Sequence, residues 1–190
     1  MTRKETTKFL TDLLISKRLV RKYYAEEVTL DYGTSHPKRV DVIEFRPQGV
    51  MSVSDIEKGE FICYEIKSCY EDVYSGNGLN FYGERNYIVT TMQTFKRLQE
   101  DMRSGKLEEH IKAVMGVNTC PYFGIIVPVN QGIGEDYENP IELDKEKHWD
   151  LVTINQQPKP NRRKRSMTEL LFCMLRSKHI YRNAITHISI

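Results

Sequence analysis

Apolar residues in the first third of the chain change from helical to strand-like spacing. Residues 4–18 show the i, i+1, i+4, i+5 pattern of one helical face, and a period of two then predicts a strand over 25–30. The Gly-Thr-Ser-His-Pro segment at 33–37 predicts a turn, and the β-rich residues 39–45 predict a second strand. Residues 46–59 are polar and contain Pro and Gly, which indicates a long connection with room for a short hairpin.

The rest of the chain predicts strands and helices in alternation. The strongest strand signal covers residues 60–70, and a short strand at 87–91 precedes a helix at 94–102. Residues 122–129 form a continuous apolar run, which is typical of a strand covered on both faces. The capping-box sequence Ser-Met-Thr-Glu at 166–169 opens a C-terminal helix.

The order of these elements predicts an α/β fold, in which a central mixed β-sheet is flanked by helices and followed by a C-terminal helical extension. The length of 190 residues suits one domain of ordinary size. We predict a domain over residues 1–150 that ends in a loop-like stretch at 130–148. Residues 151–190 are then a basic linker and the C-terminal helix.

The sequence favours a cytoplasmic protein without a membrane segment. The longest uncharged candidate, residues 113–134, contains four Gly and two Pro, and its continuous apolar part is too short to span a bilayer. The N-terminus lacks the apolar core of a signal peptide. The four cysteines form no Cys-x-x-Cys pair and no zinc-type spacing with His, so we expect reduced thiols.

The formal net charge of +2 hides an uneven distribution. Residues 159–190 contain eight Lys or Arg and one Glu, whereas residues 1–158 carry 20 basic and 25 acidic residues. A basic tail on an acidic body favours a polyanionic partner, since neutralised phosphates supply most non-specific affinity for nucleic acids. The predicted DNA contacts are Arg162, Arg163, Lys164 and Arg165; a solvated linker is the alternative.

Two charged residues interrupt one face of the strongest predicted strand. Because side chains alternate along a strand, Glu65 and Lys67 point to the same face. The preceding predicted strand carries an isolated carboxylate, Asp41, which approaches both residues if the two strands form an antiparallel hairpin. Charges in such apolar strands are costly unless they are paired or bind a metal.

Two carboxylates a few ångströms apart repel each other unless a cation lies between them. Ligand sets made only of oxygen favour Mg²⁺ or Mn²⁺ over Zn²⁺. A neighbouring lysine can orient an attacking water and stabilise the charge that develops on a phosphate, as metal-assisted phosphodiester hydrolysis requires. An ion pair across a strand end is the structural alternative for the same residues.

Asp41, followed by Glu65-Ile66-Lys67 on the next strong strand, resembles the PD-(D/E)XK (restriction-endonuclease-like) nuclease superfamily. The order of predicted elements over residues 4–129 is similar to the common core of that superfamily, and the Glu-Ile-Lys-Ser form resembles small bacterial and phage repair-type members. The resemblance implies that Asp41 and Glu65 bind the metal together with the Ile66 carbonyl. It also implies that Lys67 is the catalytic lysine.

Many members of the superfamily carry a further metal-linked glutamate on the first helix. The resemblance implies Glu5 for this role, with Glu26 or Glu27 as the alternatives. The chain departs from the pattern at Val40, which replaces the Pro of the family name, and in the long spacing across residues 46–59.

The function implied by the resemblance is DNA hydrolysis that depends on Mg²⁺ or Mn²⁺ and uses a metal-activated water. The enzyme would act alone, as a homodimer or within a larger nucleoprotein complex. The alternative is a catalytically silent DNA-binding or structural module with the same fold.

Overall fold

A six-stranded β-sheet forms the centre of the computed structural model, which describes residues 1–49 and 52–177. The strands are β1 (Tyr23–Leu30), β2 (Lys38–Arg46), β3 (Glu60–Lys67), β4 (Arg85–Thr90), β5 (Gly124–Val129) and β6 (Asp150–Asn155). The helices are α1 (Arg3–Leu14), α2 (Val53–Glu57), α3 (Tyr70–Val73), α4 (Met92–Ser104), α5 (Lys106–Met115), α6 (Ile133–Glu138) and α7 (Met167–Arg176). A π-helical turn, Ile15–Leu19, continues α1.

The strands lie side by side in the order in which they occur in the chain. β1, β2 and β3 form an antiparallel meander, β3, β4 and β5 are parallel, and β6 returns antiparallel to β5. Helices α4 and α5 provide the crossover that the parallel pair β4 and β5 requires. This arrangement confirms the predicted α/β class with a mixed sheet flanked by helices. No helix in the described ranges has the length and apolar character needed to cross a membrane.

Helices cover both faces of this sheet. On one face, Leu10 and Leu14 of α1 pack in a cluster with Tyr64 and Ile66 of β3. On the other face, α3, α4 and α5 cover β4 and β5, while α7 packs on β1, β2 and the first half of β3. The alternation along β3 therefore directs its apolar residues towards α1. It leaves Glu65 on the face that carries α3 and α4.

Strand β3 ends at Lys67, three residues before the predicted end. The Asp72 carboxylate accepts hydrogen bonds from both the main-chain N–H and the hydroxyl of Ser68, at 3.0 Å each. Ser68 therefore bonds to Asp72 and not to a neighbouring strand, and the chain leaves the sheet and enters α3. The predicted antiparallel pairing of β2 with β3 is confirmed over residues 42–46 and 60–64.

Three helices were missed or misread in the sequence. Residues 46–59 contain α2, which begins with a Ser52–Asp55 capping box, in place of a hairpin. The loop-like stretch 130–148 contains α6. Helix α5 forms because Leu107 and Ile111 lie one turn apart and are both fully buried.

The sheet continues beyond residue 150, at which the sequence prediction ended the domain. Strand β6 completes the sheet edge beside β5, and the buried Gln157 then ties the following chain to the start of β4. Its Oε1 accepts from the Asn86 N–H at 2.7 Å, and its Nε2 donates to the carbonyls of Glu84 and Lys159. The predicted C-terminal helix is present as α7, and residues 178–190 lie outside the described residues.

Replacing Gln157 with Ala should destabilise the whole domain. The change orphans the buried Asn86 N–H, so we expect a loss of about 2–3 kcal/mol in the free energy of unfolding, measured by urea denaturation. The neighbouring Gln156 makes one side-chain bond of 3.3 Å, to the Tyr87 hydroxyl. Gln156→Ala is therefore the matched control, with an expected loss below about 1 kcal/mol. Equal losses in the two variants would contradict the proposed anchor.

Candidate functional site

Strands β2 and β3 diverge at the position where the sequence predicts the site. Their ladder ends at the pair Val42–Tyr64, so continued pairing would set Asp41 opposite Glu65. Instead, Asp41 Oδ2 accepts a hydrogen bond of 2.7 Å from the Ile66 N–H. The carboxylate thus takes the place of a main-chain acceptor and bridges the two strands.

Glu65 is fully buried, and its two carboxylate oxygens have different surroundings. Oε1 accepts the Asn80 main-chain N–H at 2.9 Å, whereas Oε2 accepts no hydrogen bond from any residue in the described part of the chain. Glu44, which is buried on the opposite face, has both oxygens bonded, to the Tyr64 hydroxyl and to Arg46. A buried carboxylate oxygen without a partner is costly, and a bound cation would remove that cost.

Lys67 lies at the end of β3 with only 4% of its surface exposed. Its Nζ donates to the main-chain carbonyl of Asn77 at 2.5 Å. The Thr90 hydroxyl donates to the Lys67 carbonyl at 2.6 Å and fixes the main chain against β4. Since Lys67 and Glu65 share one face of β3, the structure places an ammonium group beside the two carboxylates.

The acid–base properties of the carboxylates reflect this crowding. Burial raises the pKa of Glu65 to about 8, and the negative charge of Asp41 adds to the rise. Burial also raises the pKa of Asp41, against the opposing effects of the Ile66 N–H and the Lys67 ammonium. When no cation is bound, the charge of Asp41 therefore makes Glu65 harder to ionise.

A loop between α3 and β4 packs closely against these groups. A Cβ atom on Gly78 would lie 2.7 Å from Glu65 Oε2 and 2.8 Å from Lys67 Nζ, so a side chain at this position would have to displace these two groups. Gly78 also has a φ of +76°, which glycine adopts without strain. The unpartnered oxygen and the ammonium thus face one shared space, which the main chain of Gly78 adjoins.

The donor set fits a divalent cation bound by oxygen. In a β-strand the N–H and C=O of one residue point to the same side, so the Ile66 carbonyl faces the Asp41 side of β3 together with its N–H. Asp41, Glu65 and this carbonyl provide the oxygen ligands that Mg²⁺ or Mn²⁺ prefers. Within residues 1–49 and 52–177, no group of three or more His, Cys, Asp or Glu side chains could hold a metal. A cation held by Asp41 and Glu65 would therefore need the Ile66 carbonyl as a further ligand.

The structure uses Glu5 differently from what the resemblance implies. Its carboxylate accepts from the N–H and the hydroxyl of Thr2, which closes the capping box at the start of α1. No described contact joins Glu5 to Asp41 or Glu65. A capping box requires the glutamate three residues after the cap, and this local signal explains the position of Glu5.

Glu27, an alternative in the sequence prediction, lies much closer to the site. The β1–β2 register sets it opposite Asp41, and its charge contributes to the raised pKa of Asp41. Its φ is +54°, an unfavourable value for a residue with a side chain, and its carboxylate pairs with Arg39 at 2.7 Å. Counting residues outward from the β1–β2 turn sets Glu27 opposite Asp41. The sequence alone could therefore have favoured Glu27 over Glu5 as the glutamate near the site.

The basic linker divides into two pairs of residues with different surroundings. Arg163 forms an ion pair of 2.9 Å with Glu84, and Arg165 pairs with Asp31 at 2.7 Å and with Glu169 at 3.1 Å. These ion pairs of Arg163 and Arg165 attach the linker to the domain. Arg162 and Lys164 form no ion pair with a described residue and stay available to a phosphate backbone.

Comparisons with known proteins add no family assignment. No protein-family model, no curated protein and no solved structure matches this chain.

The raised pKa of Glu65 predicts a pH-dependent stability in metal-free buffer. Between about pH 4.5 and 8 the folded state keeps a proton that the unfolded chain releases. The free energy of unfolding should therefore fall as the pH rises through this window, by up to about 1.4 kcal/mol per pH unit. Glu65→Gln cannot ionise, so its denaturation profile in EDTA should be flatter than that of the wild type. Parallel profiles for the two proteins would show that Glu65 does not cause the dependence.

Proposed function

We propose that this protein is a metal-dependent deoxyribonuclease that hydrolyses phosphodiester bonds. The observation that carries the proposal is the unpartnered, fully buried Oε2 of Glu65 beside Asp41 and the Lys67 ammonium. Burying two carboxyl groups and an ammonium together is costly for a purely structural purpose, because apolar residues of similar size would stabilise the strand pair at least as well. A cation site next to an ammonium group gives the arrangement a chemical purpose.

Each residue has a distinct role in this proposal. Asp41 and Glu65, with the Ile66 carbonyl, would hold the cation, and the Asp41–Ile66 hydrogen bond would keep that carbonyl in position. When bound, a Mg²⁺ or Mn²⁺ ion supplies Lewis-acid polarisation of the phosphate and a water of lowered pKa. The Lys67 ammonium would contact the phosphate that is attacked and stabilise its developing charge.

DNA is the proposed substrate because of the charge distribution of the chain. Arg162 and Lys164 project from a linker that Arg163 and Arg165 hold in place, so their position relative to the domain is defined. The four cysteines are free thiols, which agrees with a cytoplasmic location. The alternative of a silent DNA-binding module makes the same binding predictions but excludes cleavage.

Cleavage of labelled DNA in Mg²⁺, Mn²⁺ and EDTA tests the chemistry directly. Lys67→Met should reduce turnover by at least about a hundredfold, because it removes one charge contact to the reacting phosphate. It should leave metal affinity largely intact, whereas Asp41→Asn should lose both activity and metal binding. Lys58→Met, at the exposed end of α2, is the matched control and should cleave at the wild-type rate. Full activity of Lys67→Met would refute the assigned role, and an inactive wild type on all substrates would favour the silent module.

Salt dependence tests the linker as a DNA contact. The double variant Arg162→Ala/Lys164→Ala should weaken binding to all sequences alike and flatten the slope of log affinity against log salt by up to about 1.8 units. The charge-preserving pair Arg162→Lys/Lys164→Arg should keep the slope.

The ion-paired residues of the same linker provide a second comparison. Arg163→Ala/Arg165→Ala breaks ion pairs that are about three-quarters buried, so it should lower the melting temperature. An unchanged slope in Arg162→Ala/Lys164→Ala would assign the linker a purely structural role.

A further inference from the structure

The segment Ser75–Gly78, here called the latch, closes the candidate site from the outside. The Asn77 carbonyl accepts the Lys67 ammonium, and Gly78 lies against both Lys67 and Glu65. With Glu65 fully buried and Lys67 4% exposed, a phosphodiester has no access to either group. A phosphate oxygen can contact Lys67 Nζ only after the latch has moved away.

The residues that follow the latch are firmly anchored. Leu79 is fully buried in the core, and the Asn80 side chain donates to the Arg39 carbonyl at 2.7 Å. The Asn80 N–H also holds Glu65. This side of the loop therefore stays in place and keeps Glu65 oriented when the latch moves.

The latch itself is held by few contacts. Ser75, Gly76 and Asn77 are exposed. The Ser75 hydroxyl makes two local hydrogen bonds, since it donates to the Asp72 carbonyl at 2.9 Å and accepts the Asn77 N–H at 3.4 Å. The Ser75 N–H also donates to the Asp72 carbonyl at 3.4 Å. Gly76 and Gly78 both have a φ of +76°. Glycine crosses between left- and right-handed backbone conformations at little cost, so these two positions can act as hinges.

We propose that the latch is an autoinhibitory element that nucleic acid must displace to reach Lys67. The inference rests on the proposed function, since it assigns a phosphate to the place next to the ammonium that the latch now fills. The Asn77 carbonyl satisfies the buried ammonium until a phosphate oxygen takes over that role. Apparent affinity then depends on the open fraction, so a change that favours the open latch tightens binding by the same factor.

The first test measures the latch without any nucleic acid. The metal-free full-length protein is treated with an amine-reactive reagent, and modification of Lys67 is followed by peptide mass spectrometry. Gly76→Ala strains the closed latch because alanine disfavours a φ of +76°, and the new Cβ meets no atom within 4 Å. The latch should therefore open more often, and Lys67 should react roughly five-fold faster. Ser75→Ala, which removes the two local hydrogen bonds without backbone strain, should also react faster.

Gly116→Ala is the matched control for strain alone. Gly116, at the end of α5, has a φ of +63° and open space around its Cβ position, and this variant should modify Lys67 at the wild-type rate. Thermal melting of every variant confirms that it is folded. Wild-type rates of Lys67 modification in both Gly76→Ala and Ser75→Ala would overturn the latch.

The second test adds a fluorescently labelled DNA oligonucleotide in EDTA, with binding measured by anisotropy. Gly76→Ala should bind roughly five-fold more tightly than the wild type, and this gain should vanish in a Lys67→Met background, where the latch covers no ammonium. Faster Lys67 modification without tighter DNA binding would keep the latch and refute nucleic acid as the partner. If Gly76→Ala tightens DNA binding equally in the wild-type and Lys67→Met backgrounds, the role of Lys67 in the latch is refuted.

Discussion

The hydrogen bond from the Ile66 N–H to Asp41 Oδ2 is the interaction on which the arrangement of the site depends. It satisfies the main chain of β3 at the point where the β2–β3 ladder stops, and so allows the two strands to separate without an unpaired buried N–H. It also fixes Asp41 on the side of β3 to which the Ile66 carbonyl points. Where the two strands separate, the Asp41 carboxylate and the Ile66 carbonyl therefore lie on the same side of β3.

The remaining framework protects this local geometry. Strand β3 lies in the middle of the sheet, with α1 on one face and α3 and α4 towards the other, so the charged end of the strand is held by packed elements. Thr90 bonds the Lys67 carbonyl, and Asp72 ends β3 one residue later through Ser68. These hydrogen-bonded main-chain segments contrast with the lightly bonded latch, which is the entrance that we propose for a substrate.

Part of the site could be predicted from the sequence because it follows from strand periodicity. The two-residue spacing of Glu65 and Lys67 sets them on one face, and the antiparallel hairpin brings Asp41 beside them. The loop contacts could not be predicted in this way. They use the main-chain atoms of Asn77 and Asn80, which any residue type provides, and only the glycine at position 78 leaves a trace in the sequence.

Other features could not be predicted because long-range contacts override local signals. Arg163 and Arg165 belong to a typical basic run, yet their partners Glu84 and Asp31 lie far away in the chain. Strand β6 is only partly buried along its length and shows no clear alternation, and it pairs with the edge of the sheet at β5. The sequence prediction chose Glu5 because it lies on the first helix, but in the structure its carboxylate closes the capping box at the start of α1.

Titration calorimetry with Mn²⁺ tests the central claim most directly, since it requires neither substrate nor turnover. The wild-type protein should bind Mn²⁺ saturably, and Glu65→Gln should abolish the binding because it removes the carboxyl group whose Oε2 has no partner. Glu5→Gln should bind as the wild type does, because Glu5 is engaged at the helix cap. Absence of Mn²⁺ binding to the wild type, or equal binding by Glu65→Gln, would contradict the account.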